Sequence, residues 1–556
     1  MAWTNSNLSP GDLRPNDSSK PENIMTSIPS VLPAPAVAAP APTPFTLRLM
    51  LGLVGILVAA LSAGLNDRVT STAMPDIRGM LAVGSDEGSW FDTVFALGEV
   101  MGMVVAPWLA VTFSMRKFSM VASVILALAG AAAVFIRDPA IFLLCRLVQG
   151  VAGGLLIPIL MAAALRFLPP NIKLYGLAAY ALTATFGPNV ATPLTAFWTD
   201  VVGWQFVFLQ VIPLCAAAVA LIFYGIPQDP LRLERLKTID WRGVLLAWGI
   251  AACLVVGIEQ GERFDWFESP GITTLLVLPL LLVPLFILNE LHHPLPLIRP
   301  QLLLRRNFAF GVLMLSGFLV IGLAGSLVPS LYLSEVKGYR PQELASMAAM
   351  LAVPTLIFLP ATSFLLSFQW LDGRYLIVAG LLVLMACFYQ ASLITSDWNR
   401  DNFMMLPLAQ SAGQCLIVVP LLMIATSVIA PPEGPFGSAT INTVRALIAP
   451  IASGLIEAFV TFREHFHSNV LLDRVGATRF LLTSPMEHGE TTSSRIGALS
   501  AQQSLSLSEI AESASQQAVV MSVADTFLML IGVAAMLLFL VLLLPQRTYP
   551  PFLPKR

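Results

Sequence analysis

Residues 95–107 read FALGEVMGMVVAP, part of an apolar run from Trp90 to about Val111 with Glu99 near its middle. About 20 apolar residues cross a bilayer as a helix, and this run is long enough. A charged side chain at mid-bilayer costs roughly 2.5–3.5 kcal/mol on insertion scales. Glu99 is too far from either helix end to reach water, and a Glu cannot snorkel as a Lys does. A water-filled cavity suits it better. There it can bind and release a proton.

Composition points the same way. Of 556 residues, 56% are hydrophobic and 12% charged, against about 25% charged in soluble domains. So little charge cannot cover a water-facing surface, and an integral membrane protein follows. A net charge of −2 gives no sign of a nucleic-acid partner. No phosphate-cradling loop, metal-ligand cluster or nucleophile motif stands out, so the reading is a non-enzyme without cofactor or metal. His292 and His293, in LHHPLPL, lack the further ligands a metal site needs. The five cysteines all fall in apolar runs with no CxxC pair, and read as small core residues.

Similar runs recur near 47–66, 89–111, 118–136, 140–165, 174–198, 204–226, 241–260, 270–291, 307–331, 341–368, 372–393, 402–429, 435–461 and 520–545, fourteen in all. An even count puts both termini on one side. Lys and Arg concentrate in alternate loops, as at Arg116, Lys117, Arg166, Lys173, Arg305 and Arg306, and are sparse in the short loops opposite. The positive-inside rule then places both termini in the cytoplasm. Residues 1–45 are rich in Pro and Ala, without a signal-peptide core, and read as a disordered tail.

Other polar residues lie inside these runs. Asp67, Arg146 and Asp525 join Glu99 as candidates for proton coupling. Gln149, Gln410, Gln414, Asn442 and Arg445 are candidates for the wall of a substrate cavity. Arg146, Gln149, Gly150 and Gly153 share one helix face. Gly150 and Gly154 make a GxxxG pattern that admits a close neighbour. Prolines 107, 158, 188, 193, 213, 354, 360, 420 and 450 lie within spans and tend to kink them. A faint likeness between WLAVTFSMRKFSM (108–120) and LLSFQWLDGRYLI (365–377) fits the repeated halves of secondary transporters.

These residues resemble a family. RLVQGVAGG (146–154) is similar to the RxxQGxGGG motif of span four in major facilitator drug transporters. FGPNVATP (186–193) resembles their antiporter motif, with Gly187 and Pro188 kept. LNDRVTSTAMPDI (65–77) resembles the signature ending span one in fourteen-span, proton-coupled exporters of the EmrB/QacA type. The likeness extends over GEVMGMVVAPWLA, INTVRALIAPIASGLIEAFVTFREHFHSNVLLDRV and QQAVVMSVADTFLML. It departs where Asn66 replaces the family Asp, with Asp67 one place later. It departs again at Val111 and Ser114, and around Ala191, Thr192 and Thr195.

The resemblance implies an all-α polytopic major facilitator fold in a bacterial inner membrane, with a switch motif on Gly150, Gly187 and Pro188. The expected division is a tail (1–45), a six-helix bundle (46–226), an extra helix pair with linkers (227–300), a second six-helix bundle (301–545) with a periplasmic loop at 462–519, and a cytoplasmic tail (546–556). It further implies export of lipophilic or amphipathic toxic compounds in exchange for protons. By the same resemblance the 462–519 loop is a docking surface for a periplasmic adaptor, a membrane fusion protein of the EmrA kind, that connects to an outer-membrane channel. Alternatives are an exporter of one endogenous metabolite, such as a siderophore or an aromatic or fatty acid, and a transporter-like sensor without turnover.

Overall fold

Proline and caps cut the apolar runs into helices. The computed structural model describes residues 45–340, 342–368, 370–430, 433–483 and 496–544, with side chains left out from 474 to 511. The Pro/Ala-rich tail up to 44, TSPMEHGETTSSR from 484 onward, and the final residues lie outside that description.

The chain runs through α1 (Leu47–Thr72), α2 (Met74–Leu81), α3 (Ser85–Phe113), α4 (Met115–Ala133), α5 (Pro139–Phe167), α6 (Lys173–Phe197), α7 (Phe206–Leu209) and α8 (Val211–Gly225). It continues through α9 (Trp241–Glu259), α10 (Pro270–Val277), α11 (Pro279–His292), α12 (Arg306–Glu335) and α13 (Ala345–Leu365). The last are α14 (Gly373–Ser392), α15 (Met405–Thr426), α16 (Gly434–Thr483) and α17 (Ile496–Leu542). Among the described residues there is no strand.

Local chemistry sets the boundaries. Asp138 accepts hydrogen bonds from the amides of Ala140 and Ile141, with Pro139 as the first residue of α5. Asp240 caps α9 through Gly243 N–H, and Asp372 caps α14 through Arg374 N–H. The run expected at 270–291 is two helices, because Pro279 has no N–H to continue the first. Pro213 does the same near the α7–α8 junction, leaving the Leu209 carbonyl without an amide four residues on. The turn between α3 and α4 is a single residue, Ser114 at φ 73°, a region that favours glycine.

Thirteen stretches of the described chain are long and apolar enough to cross a membrane. They account for thirteen of the fourteen expected runs. The other is α6, 25 residues long, whose Thr183, Thr185, Asn189, Thr192 and Thr195 make it more polar. The molecule is therefore an all-helical polytopic membrane protein.

Successive spans alternate in direction. The end of the bundle at which α1 starts is called the near end here, and the opposite one the far end. α1 packs on α5, α6 and α8, and α3 lies along α5. α12 packs on α15, α16 and α17, and α14 on α15 and α17. Between these groups, α6 meets α13 and α15, while α16 meets α3 and α5. α9 packs against α3, α11 and α16.

The segment read as a loop at 462–519 is largely helix. α16 is 50 residues long and α17 is 47, so at 1.5 Å per residue α16 spans about 75 Å. A hydrocarbon core is about 30 Å thick. The two helices pack on each other and carry on past the far end.

Candidate functional site

The site begins where α3 crosses α5. A Cβ added at Gly150 would lie 2.2 Å from Phe95 O, and one at Gly154 2.1 Å from Glu99 O. A Cβ at Gly98 would lie 2.6 Å from Leu147 O, and one at Gly102 2.5 Å from Val151 O. Four glycines thus let two backbones touch, a spacing no larger residue allows. Gly153 and Gly187 differ, with nearest neighbours at 3.4 and 3.8 Å, ordinary contact distances.

This crossing fixes the register of Glu99. Its side chain lines a cavity of about 470 Å³, with Asp67 and Arg68 of α1, Pro188 of α6, Gln410 and Gln414 of α15, and Arg445 of α16. Met103, Ile157 and Phe318 supply apolar wall. Among the described residues, no hydrogen bond or ion pair holds the Glu99 carboxylate. The charged side chains bearing on it are Asp67, Arg445 and Arg68. Asp67 and Arg68 pair with each other at 3.4 Å. Among the described residues, Arg445 reaches only Thr183 Oγ1, at 3.5 Å.

The cavity opens toward the far end. Its lining runs past Thr72 to Ser334, which is exposed. Toward the near end three hydrogen bonds close it, each joining the two helix groups. Ser438 Oγ donates to Pro158 O at 2.6 Å, Tyr180 Oη to Asn442 Oδ1 at 2.8 Å, and Ser363 Oγ to Leu174 O at 3.3 Å.

Behind the α3 wall lies a second polar cluster. Arg146 is 0% exposed. It donates to Asp92 Oδ1 at 3.2 Å, Gln149 Oε1 at 3.1 Å and Phe91 O at 3.4 Å, and its guanidinium sits 4.2 Å from the Phe95 ring centre. Gln149 also donates to Ala129 O and accepts from Asn66 Nδ2. Every polar atom of Gln149 is thus used inside the protein.

The expected residues therefore separate into groups. Glu99, Asp67, Gln410, Gln414, Arg445 and Pro188 meet at the cavity. Gln149 and Asn442 do not line it. Both are sealed, the first beside Arg146 and the second in the near-end closure. Arg146 does not pair with Asp67. Its partner is Asp92, seven residues before Glu99 and so two turns along the same face. Sequence reading missed Asp92, which sits near the start of its apolar run. Asp525 lies elsewhere, held by Arg463 of α16 and by His467 Nε2 at 2.7 Å. Gly150 lies at the α3–α5 crossing, whereas Gly187 makes no close approach.

Comparisons with known proteins agree with this architecture. The chain is similar to the multidrug export protein EmrB of Escherichia coli (strain K12), 24% identical over 497 residues, covering 89% of this chain and 95% of that protein. It is 23% identical over 427 residues to the MFS-type transporter YhcA of Bacillus subtilis (strain 168), covering 76% and 78%. A solved structure of a bacterial homolog of the human lysosomal transporter Spinster, inward-facing and unoccupied, matches at TM-score 0.47 and 16% identity over 89% of this chain and 98% of that one. The model of the Major Facilitator Superfamily matches residues 56–453. With its helices, its relatives and that match taken together, the chain belongs to the Major Facilitator Superfamily, as a multi-pass transporter of the bacterial inner membrane and not an enzyme.

Proposed function

We propose that the protein exports lipophilic or amphipathic toxic compounds in exchange for protons, with Glu99 as the exchanging acid. The observation that carries this reading is a carboxylate without a partner among the described residues, deep in a membrane protein, facing a cavity open at one end only. Such a group alternates between proton and cargo as the cavity opens to either side. The similarity to EmrB, whose name states multidrug export, supports the cargo class. The polar cavity floor and apolar walls suit amphipathic molecules of drug size. The two six-helix groups act as rocking halves, the α9–α11 segment joins them, and both termini face the cytoplasm. Gly150 keeps α3 and α5 moving as one body, while Pro188 bends α6 at the cavity wall.

Vesicles carrying Glu99→Gln test the reading. Substrate-driven proton release should vanish while the protein still inserts in the membrane. Release at the wild-type rate would remove Glu99 from the mechanism.

The far-end extension of α16 and α17 is the proposed seat of a periplasmic adaptor, which would join the transporter to an outer-membrane channel. Its length beyond the bilayer supports this. Deleting 484–508 should abolish co-purification with the adaptor and leave vesicle transport intact. Undiminished pull-down would place docking elsewhere.

A further inference from the structure

The cavity holds one acid and one base that are each short of a partner. Among the described residues, Glu99 makes no hydrogen bond or ion pair and Arg445 has only the Thr183 hydroxyl. The two line the same cavity from opposite halves, α3 and α16, and act on one another electrostatically without forming an ion pair. Asp67 and Arg68, the remaining charges of the wall, already satisfy each other.

A fixed plus and a fixed minus discriminate by charge. A cargo with one positive group gains from Glu99 but enters the field of Arg445. A cargo with one negative group gains from Arg445 but faces Glu99. In a cavity with apolar walls both penalties are larger than in water. A molecule with one charge of each sign meets both residues favourably and adds no net charge.

We propose that the cavity is built for a zwitterionic amphiphile, its ammonium end on Glu99 and its carboxylate end on Arg445. This rests on reading the cavity as the cargo site with Glu99 as the exchanging acid. The signs then agree. Ammonium and proton compete for the same carboxylate, so binding the zwitterion displaces a proton, with Asp67, Arg68 and Arg445 the other charges facing Glu99. A neutral zwitterion leaving as one proton enters moves one net charge per cycle, so an inside-negative potential speeds export.

Three fluorescent probes with one ring system test this on the full-length protein in nanodiscs. They are ciprofloxacin, its methyl ester (cation only) and its N-acetyl derivative (anion only). Fluorescence anisotropy should show the zwitterion binding at least tenfold more tightly than either relative. Glu99→Gln should bring it down to the N-acetyl compound, and Arg445→Gln to the methyl ester. Glu99→Asp and Arg445→Lys should keep the order, which separates lost charge from lost fold. Equal binding of the three probes, no binding of any, or variants that weaken all three alike would overturn the proposal. Proton release is read in the same samples in weak buffer. If the zwitterion is preferred and no proton appears, the exchange reading fails and the charge matching stands. If ethidium releases protons and the zwitterion has no advantage, only the charge matching fails.

Discussion

At the residue scale, the Arg146–Asp92 pair is asymmetric. Arg146 is fully enclosed, whereas the Asp92 side chain is 30% exposed. Removing the acid strands a buried cation. Removing the base leaves an acid that still reaches water. Stranding one partner of a buried pair typically costs about 3–5 kcal/mol. Asp92→Ala is therefore expected near the lower end of that range, cushioned by Gln149, Phe91 O and the Phe95 ring. Arg146→Gln should cost clearly less. Thermal unfolding of the two variants in detergent checks the order, and equal losses would contradict it. Glu99, Arg146 and Arg445 were legible as charges inside apolar runs. Asp92 was not, because a run boundary read from hydropathy is uncertain by several residues, and that uncertainty spans the difference between interface and interior. Pairing was also illegible. Asp67 and Arg146 were both candidates for proton coupling, but only packing shows that Asp67 turns to its own neighbour, Arg68.

At the element scale, glycine spacing and proline position decided most of what could be read. The GxxxG pattern at Gly150 and Gly154 named one side of a close crossing; its partners Gly98 and Gly102 form a second GxxxG in the opening stretch, which sequence reading passed over. Gly154→Ala places a methyl group 2.1 Å from Glu99 O, and backbone cannot yield as a side chain can. The helices must part, at a cost of about 1–3 kcal/mol for overpacking. Gly187→Ala meets its first neighbour at 3.8 Å and should be near neutral. Unfolding temperatures of the pair test the contrast, which sequence motif alone would not predict, since both glycines belong to conserved-looking signatures. The long polar segment at 462–519 was the weakest reading. Its apolar residues recur at helical spacing in HSNVLLDRV, yet its polarity suggested a loop. Polarity there reflects water around a helix that has left the membrane, not absence of helix.

At the scale of the whole molecule, the count of spans was legible because each is a sustained apolar stretch. The state of the cavity was not, because it depends on three hydrogen bonds between residues 189 to 280 positions apart. Tyr180→Phe removes the central one and leaves Asn442 Oδ1 buried and unpaired, a loss of about 1–3 kcal/mol from this state alone. By population shift, the near end should open in a larger share of molecules. Distances between spin labels placed on α6 and α13 at the near end should broaden toward longer values. An unchanged distribution would show that the hydrogen bond contributes nothing to closure.

The length of α16 has a mechanical consequence. About 75 Å of continuous helix against a 30 Å hydrocarbon layer leaves roughly 45 Å projecting. A rod of that reach is a lever, displacing its tip by roughly 0.8 Å for each degree its base tilts. Arg445 stands on the same helix, five residues before Pro450, so a tilt inside the bilayer is either passed to the tip or taken up as a bend at that proline.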